Sequence, residues 1–460
     1  MSVQTYFYRI LILLISPFCM AYTLSLNDAF HKALKNDLSI QEARLTWLAN
    51  KNDKGIALSY LLPQLDFNYN NTKNKNTLKH CTDACEKIKK SYREGQTLFS
   101  LSQELFNMQT YYQYSKANQK ALQDLFIYQK ALQDLTLRIA TQYFDLILSI
   151  ENHDFLKAEL QETQKRENDV RMQASLGAMT KAQLLEVTAQ TKRIQANIIQ
   201  AKMAIYNAKD ILSDSIGCDQ FTKIKKLRKK NHLMHIGLPN LTHWLTDAMQ
   251  KNLDIKIADN GVTQANFQKK AMTSQYLPTV QINSSYNDYR YENQSISNTS
   301  NNLTASPQKN NHNTQAGISL SFPIINGGKR YYDQNKAQKN LQLSHVQKQN
   351  TQQSVIREIK KLHRQLEHNQ EIINAKTAAL NSSQEMLRIT RISLKAGAVT
   401  VLETLENISN VRKDHQSLEN IKYNHILNLI EILIQTGNIS PQEIKQLNAD
   451  LQETIPITPL

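Results

Sequence analysis

The chain is written twice. Sliding the 460-residue sequence against itself by 215 positions aligns Leu26–Asn68 with Leu241–Asn283 without a gap, and ten of the 43 positions are identical. Leu62-Pro63 falls on Leu277-Pro278, and Asn68 on Asn283. After a slight slip of register, Ser100-Leu101-Ser102 matches Ser319-Leu320-Ser321, and Asn107 matches Asn326. Further on, Gly177 and Thr180 match Gly397 and Thr400, and Leu185-Glu186 matches Leu405-Glu406. A chain built this way must adopt a fold that two copies of one unit can make.

Both copies have the same grammar. A helical stretch, expected over 26–62 and 241–277, ends at a Leu-Pro pair, because proline cannot continue a helix and biases its predecessor to extended backbone. Alternation follows: Leu65, Phe67 and Tyr69 against Asp66, Asn68 and Asn70, and in copy two Val280, Ile282, Ser284 and Tyr286. Period two of this kind predicts a strand with one apolar and one polar face. Polar loops are expected over 71–94 and 288–314. Return strands carry Thr97, Phe99 and Leu101, then Ile318, Leu320 and Phe322.

A long helix without Gly or Pro then starts near Asn107 or Gly328 and runs to Leu176 or Ala396. At ~1.5 Å per residue it measures roughly 100 Å. Its apolar seam is Leu122, Leu125, Leu132, Ile139, Tyr143, Leu146 and Ile150, with polar entries at Gln129 and Thr136. A glycine-containing turn and a returning helix close each copy, so the helices of one copy pair antiparallel. The expected division is a signal peptide over 1–21 and repeat one over 22–216. Repeat one holds strand–loop–strand 63–108, long helix 109–176 and returning helix 181–213. A linker occupies 217–240. Repeat two spans 241–436, with strand–loop–strand 278–326, long helix 328–396 and returning helix 400–436, before a tail over 437–460.

Composition narrows the setting. Only 40% of residues are apolar, and the chain has 11 Gly and 9 Pro, which suits long helices with polar outer faces. No stretch has the eighteen or more apolar residues that a membrane-crossing helix needs. Arg9, the apolar run Ile10–Ile15, Pro17 and then Cys19-Met20-Ala21 read as an export signal cleaved after Ala21. In an oxidising compartment Cys81 and Cys85 are a possible disulfide, while Cys218 reads as unpaired. The net charge is +15, with a cluster at Lys223, Lys225, Lys226, Arg228, Lys229 and Lys230. Without interleaved aromatics this reads as a solvated linker, with no nucleic-acid partner. No catalytic constellation, cofactor motif or metal-ligand spacing is found, so the chain is expected not to be an enzyme, with no cofactor and no metal.

Four strands with lipid-compatible faces cannot close by themselves, and unpaired edges in hydrocarbon are too costly. Three chains would supply twelve strands, so a homotrimer sharing one barrel is expected. The ordered set of motifs resembles the TolC family of outer-membrane efflux proteins over essentially the whole mature chain. The set is Leu-x-x-Ala near each start, Leu-Pro before each first strand, Phe322-Pro323-Ile324 before Gly327-Gly328, the run Gly397 to Glu406, and Thr436-Gly437-Asn438-Ile439. The resemblance implies a mainly α fold with a small β part, a trimeric channel-tunnel with an internal two-fold repeat. Each chain would give four strands to a shared 12-stranded outer-membrane β-barrel and long antiparallel helices to a periplasmic α-barrel. A belt would be built from about 217–240 and 437–460. The implied function is the passive exit duct of a tripartite efflux or type I secretion system, held in outer-membrane lipid. It would dock an inner-membrane pump through a periplasmic adaptor, a membrane fusion protein. The competing expectation is a structural or adhesive periplasmic coiled coil without a pore.

The resemblance also points to a site. The family carries two acids six and nine residues beyond the turn glycine, here Glu403 and Glu406; three copies of each would form a cation-favouring ring at the periplasmic entrance. Copy one places Gln183 and Glu186 there, so only the outer position keeps its charge. Gly177, Thr180, Gly397 and Thr400 mark the helix turns expected to dock the adaptor. The family's basic or Tyr latch near the second turn is replaced by Val399 and Leu394, and Lys181 or Arg391 are the candidate substitutes.

Overall fold

A computed structural model describes residues 22–81, 85–227, 239–298, 307, 309–438 and 451–457, with side chains at 78–81, 85–88, 227, 297, 298 and 452 excepted. The signal-peptide expectation and parts of the linker and tail lie outside these residues. The element order is β1 (Tyr22–Leu24), α1 (Leu26–Asn36), α2 (Leu38–Asn50), α3 (Asp53–Ser59), β2 (Gln64–Cys81), β3 (Cys85–Phe106), α4 (Met108–Ser175) and α5 (Lys181–Ile216) in the first half. The second half has β4 (Phe221–Leu227), α6 (Leu241–Lys251), α7 (Leu253–Thr273), β5 (Thr279–Asn298), β6 (Asn311–Ser321), α8 (Lys329–Lys395), α9 (Val401–Gln435) and β7 (Leu451–Pro456). The chain forms two compact units. The first comprises residues up to Thr46, Phe126–Lys256 and Asn350 onward; the second comprises Trp47–Leu125 and Ile257–Gln349.

The opening helix of each copy is broken, contrary to the continuous helix expected. Asp37 and Asn252, which coincide in the 215-residue register, end one helix and begin the next. Asp37 Oδ1 accepts from Ile40 N at 3.1 Å, and Asn252 Oδ1 accepts from Ile255 N at 3.1 Å. A short polar side chain that satisfies the free amides of a helix start competes with continuing the helix before it. Asp37 is held in turn by Arg138 at 2.6 Å, and Asn252 Nδ2 donates to Gln435 O at 2.8 Å.

The first unit is centred on the long helix α4. Leu135, Ile139, Tyr143, Leu146, Ile147 and Ile150 are buried with Tyr423, Ile426 and Ile430 of α9 and with Leu24, Phe221 and Ile224 of a three-stranded sheet. That stripe is wider than the expected seam because α4 is covered by helix and by sheet. Leu122, expected in the seam, is 40% exposed. The sheet has the order β1-β4-β7, with β1 parallel and β7 antiparallel to β4. Tyr143 locks the sheet to the helix: its Oη donates to Lys225 O at 2.7 Å. Lys223, Lys225 and Lys226 therefore sit in the central strand of a small sheet rather than in a solvated linker. Cys218, read as unpaired, is disulfide-bonded.

The second unit holds a four-stranded antiparallel sheet in the order β2-β3-β5-β6. The strands run past the expected loop boundaries. β2 continues from Asn71 to Cys81, and β3 starts at Cys85, leaving only 82–84 between them. β5 likewise continues to Asn298. Asn and Lys have weak strand preference, but an established antiparallel partner supplies the backbone bonds that override it. Cys81 and Cys85 occupy facing positions of the register, and their side chains lie outside the described residues.

Leu65, Phe67 and Tyr69 of β2 pair with Leu101, Phe99 and Thr97 of β3 on one face. Tyr286 pairs with Phe99, and Ile282 and Val280 with Ile318 and Leu320, on that same face. Leu65, Phe67, Tyr69, Ile318 and Leu320 are all more than half exposed. The opposite face is largely polar: Asn68, Asn70, Ser100 and Ser102 alternate with the apolar set, with Leu98 opposite Asn68, and Gln96 Nε2 donates to Asn287 Oδ1 at 3.0 Å and Tyr289 Oη at 2.9 Å. Among the described residues no helix is long and apolar enough to cross a membrane.

Candidate functional site

The two helix turns are built alike. Gly177 and Gly397 adopt φ of +75° and +74°, the left-handed conformation that glycine enters without a Cβ penalty. Ala178 N donates to Gln173 O at 2.8 Å and Gly177 N to Ala174 O at 3.1 Å; in copy two Ala398 N donates to Ser393 O at 2.9 Å and Gly397 N to Leu394 O at 3.1 Å. These bonds satisfy the last carbonyls of α4 and α8. Thr180 and Thr400 then cap the returning helices, accepting from Gln183 N at 3.2 Å and Glu403 N at 3.1 Å.

The capping geometry separates the two copies chemically. Gln183 returns the favour: its Oε1 accepts from Thr180 N at 2.9 Å, completing a capping box. The Gln183 side chain is thereby committed to its own helix start. Glu403, at the same position of copy two, makes no such return bond among the described residues. Its carboxylate remains free at a helix N-terminus, where the helix dipole favours negative charge. Glu403, Glu406 and Glu186 are exposed, and none has an ion-pair partner among the described residues.

The two turns lie together. Val170 and Val187 of copy one are buried in one cluster with Leu387, Leu405 and Ile408 of copy two, flanked by Met179, Leu184 and Val401. The structure thus brings the copy-one positions Gln183 and Glu186 and the copy-two positions Glu403 and Glu406 to one end of the helical unit.

Of the two candidate latch residues, only Arg391 is tied across the copies. Its Nη2 donates to Glu162 Oε2 on α4 at 3.1 Å. Lys181 is exposed and has no ion-pair partner among the described residues. A second bridge lies deeper and was not read from the sequence: Arg412 Nε on α9 lies 2.6 Å from Glu159 Oε2 on α4, whose side chain is 4% exposed. Farther along α4, Glu151 lies 3.4 Å from Lys226 Nζ of β4, and Lys226 is 3.9 Å from Glu453 of β7. Burial and the neighbouring Glu419 charge push the Glu151 carboxyl up to about 7, against the pull of Lys226 and Lys422. Nothing in the local sequence marks Glu159, Glu162 or Glu151 as bridging residues, because Arg412, Arg391 and Lys226 lie on other elements. Among the described residues no group of three or more His, Cys, Asp or Glu side chains could hold a metal ion.

A family model described as outer membrane efflux protein matches residues 29–217 and 244–438, one match in each repeat. Outer membrane protein TolC of Vibrio cholerae is 22% identical over 353 residues, covering 77% of this chain and 79% of that protein. The alkaline protease secretion protein AprF of Pseudomonas aeruginosa is 21% identical over 442 residues, covering 94% of this chain and 88% of that protein. Among solved structures, CusC superposes with a TM-score of 0.74 at 18% identity, over 93% of this chain and 96% of that one. The Campylobacter jejuni CmeC outer membrane channel gives 0.73 at 17% identity, over 93% and 90%. At these identities the structural likeness speaks to the fold.

Proposed function

Because the chain belongs to the outer membrane efflux protein family, which sets it in the outer membrane, we propose that it is the passive exit duct of a tripartite efflux or type I secretion system. The observation that carries this reading is the four-stranded sheet. One face is an exposed apolar band, the other is largely polar, and the edge strands β2 and β6 each leave one edge unpaired among the described residues of the single chain. Hydrocarbon does not tolerate open strand edges, so the sheet needs further copies to close. Three copies make a homotrimer with a 12-stranded barrel, whose apolar faces meet lipid and whose Asn and Ser faces line water. The helices of the three chains form the periplasmic α-barrel.

In this reading the turns at Gly177–Thr180 and Gly397–Thr400 are the docking tips for a periplasmic adaptor, which connects the duct to an inner-membrane pump. Two relatives support a secretion setting by name: AprF, and the proteases secretion protein PrtF of Dickeya chrysanthemi, which is 20% identical over 449 residues. Glu403 and Glu406 are the selectivity ring, with Glu186 adding charge and Gln183 withdrawn into its cap. Six like carboxylates brought together attract cations into the entrance. The chain carries no chemistry of its own in this role; the energy comes from the pump.

The test is single-channel conductance in a planar bilayer, comparing the wild type with Glu403→Ala/Glu406→Ala. Cation-selective openings that lose selectivity in the double variant are expected. A selective channel left unaltered in the variant removes the ring assignment, and absence of the protein from outer-membrane fractions removes the duct.

A further inference from the structure

The apolar face of the four-stranded sheet does not stay apolar along its length. Two residues at a time, the face of Leu65, Phe67 and Tyr69 continues on β2 to Asn71, Lys73, Lys75 and Thr77. On β3 the face of Leu101, Phe99 and Thr97 continues to Gly95, Arg93, Ser91 and Lys89. Lys73, Lys75, Lys89 and Arg93 are all exposed, and none has an ion-pair partner among the described residues. Lys73 stands directly opposite Arg93 in the register. Like charges facing each other across two strands cost stability unless a counter-charge lies over them.

The band belongs to one hairpin and one face. On the opposite face the same stretch carries Asn74, Asn76, Tyr92 and Glu94, with Lys90 as its one basic residue among 71–77 and 89–95. Repeat two, on the outward face, continues past Tyr286 with Asp288, Arg290 and Glu292, and β6 carries Thr314 and His312 there. Arg290 is already satisfied by Asp288 at 3.0 Å, and Glu292 faces Arg93 from the side of β5. Repeat two is therefore balanced, and repeat one keeps an excess of three lysines.

Depth explains where this excess sits. The helices join the hairpin at Gln64 and Phe106, so the basic band lies toward the far end. Lys73 is eight residues from Leu65. At ~3.3 Å per residue and a strand tilt of ~40° this is about 20 Å of membrane depth, most of the ~25 Å apolar band of an outer-membrane barrel. Lys73, Arg93 and the residues beyond them emerge where the hydrocarbon ends.

We propose that Lys73, Lys75, Lys89 and Arg93 form a docking surface for the net-anionic phosphate headgroups of outer-leaflet lipid. The assignment rests on the barrel reading above, which puts the helices on the periplasmic side. A lysine ammonium is a compact charge that suits a phosphate oxygen, and the headgroup layer delivers such oxygens beside the acyl chains that cover Leu65, Phe67 and Tyr69. One surface would form per chain, between an apolar band and a long polar hairpin, and would fix the depth at which the barrel sits.

The experiment uses the full-length protein in neutral detergent, with lipid retention measured by native mass spectrometry. Diphosphorylated lipid A is compared with zwitterionic phosphatidylcholine, and inorganic phosphate is added as a competitor. The wild type is expected to prefer the net-anionic lipid A by roughly tenfold at about 0.1 M salt, with the preference falling at high salt as the charges are screened. The variant Lys73→Gln/Lys75→Gln/Lys89→Gln/Arg93→Gln should lose the preference, and the helix control Lys336→Gln/Lys339→Gln should keep it. Conductance in a neutral bilayer reports insertion separately. A variant that inserts and keeps its preference overturns the docking surface alone; a wild type that never inserts overturns the barrel and the proposal with it. Should the fourfold variant fail to insert, Lys73→Gln/Arg93→Gln and the wild-type salt titration decide, and a salt-insensitive preference overturns the proposal. Displacement of the lipid by millimolar inorganic phosphate overturns the assignment to lipid.

Discussion

Arg391 Nη2 donates a 3.1 Å hydrogen bond to Glu162 Oε2, tying the long helix of repeat two to that of repeat one near the helix turns. Both side chains are part-exposed, so the pair contributes little to global stability, about 0.2–1 kcal/mol. Its position matters more than its size, because it joins the two hairpins whose turns carry Glu403, Glu406 and Glu186, the acids of the proposed ring. Arg391→Ala is expected to raise single-channel conductance several-fold, with less than about 1 kcal/mol of stability lost. The exchange Arg391→Glu/Glu162→Arg should restore the wild-type conductance. An unchanged conductance in Arg391→Ala sinks the latch.

Much of this arrangement is legible in the sequence because its signals are local. The facing set of Leu65, Phe67 and Tyr69 is a period-two alternation, and α4 and α8 are long runs without a breaker. Gly177 and Gly397 mark the turns because only glycine adopts that backbone freely. What is not legible depends on distant partners. Arg391 and Glu162 are 229 residues apart, and nothing beside either one names the other. The reach of β2 to Cys81 depends on pairing with β3, which outweighs the polar composition of 71–81. Strand β4 is hidden for another reason. A register shift between Tyr22 and Thr23 pairs them with Phe221 and Lys223, so its buried residues Phe221 and Ile224 are three apart and the alternation is lost. The break at Asp37 and Asn252 could have been found, since the two align in the repeat and each precedes a Leu.

The glycines separate strain from crowding. Gly437 has φ of +67°, and a Cβ there would lie 2.7 Å from Lys251 Cβ and 3.0 Å from Lys251 O. Its counterpart Gly217, at φ +65°, would place a Cβ 2.7 Å from Asn36 Cβ. Gly177, at φ +75°, has nothing within 4 Å of an added Cβ. Gly177→Ala should therefore cost only the backbone penalty, about 1 kcal/mol. Gly437→Ala adds an overlap with backbone that no rotamer relieves, so about 2–4 kcal/mol is expected. Thermal unfolding of the two variants checks the order, and equal shifts would count against the close packing of Lys251 on Gly437.

Glu151 gives the molecule a pH dependence with a definite sign. It sits on α4 with Lys226 of β4 beside it and Glu419 and Lys422 of α9 acting on it, while Glu453 of β7 shares Lys226. Its carboxyl is pushed from 4.5 to about 7, mainly by burial. An acid raised in the folded state holds a proton that the unfolded chain has already lost. Between about pH 4.5 and 7 the folded state therefore binds more protons, and stability falls as pH rises through that window. The cost is complete above about pH 7 and amounts to at most about 3 kcal/mol. Asp134, Asp145 and Glu431 are raised by burial too and act in the same sense, each above its own unfolded pKa. His153, His415 and His425 are lowered by burial, and they act in the opposite sense as pH falls below 6.5. Glu151→Gln keeps the shape and removes the titration. Its unfolding temperature, scanned from about pH 5 to about pH 8, should fall less steeply than that of the wild type, with the gain greatest at the alkaline end. A variant that retains the full wild-type slope would mean that Glu151 is ionised in the folded protein across this range, held so by Lys226.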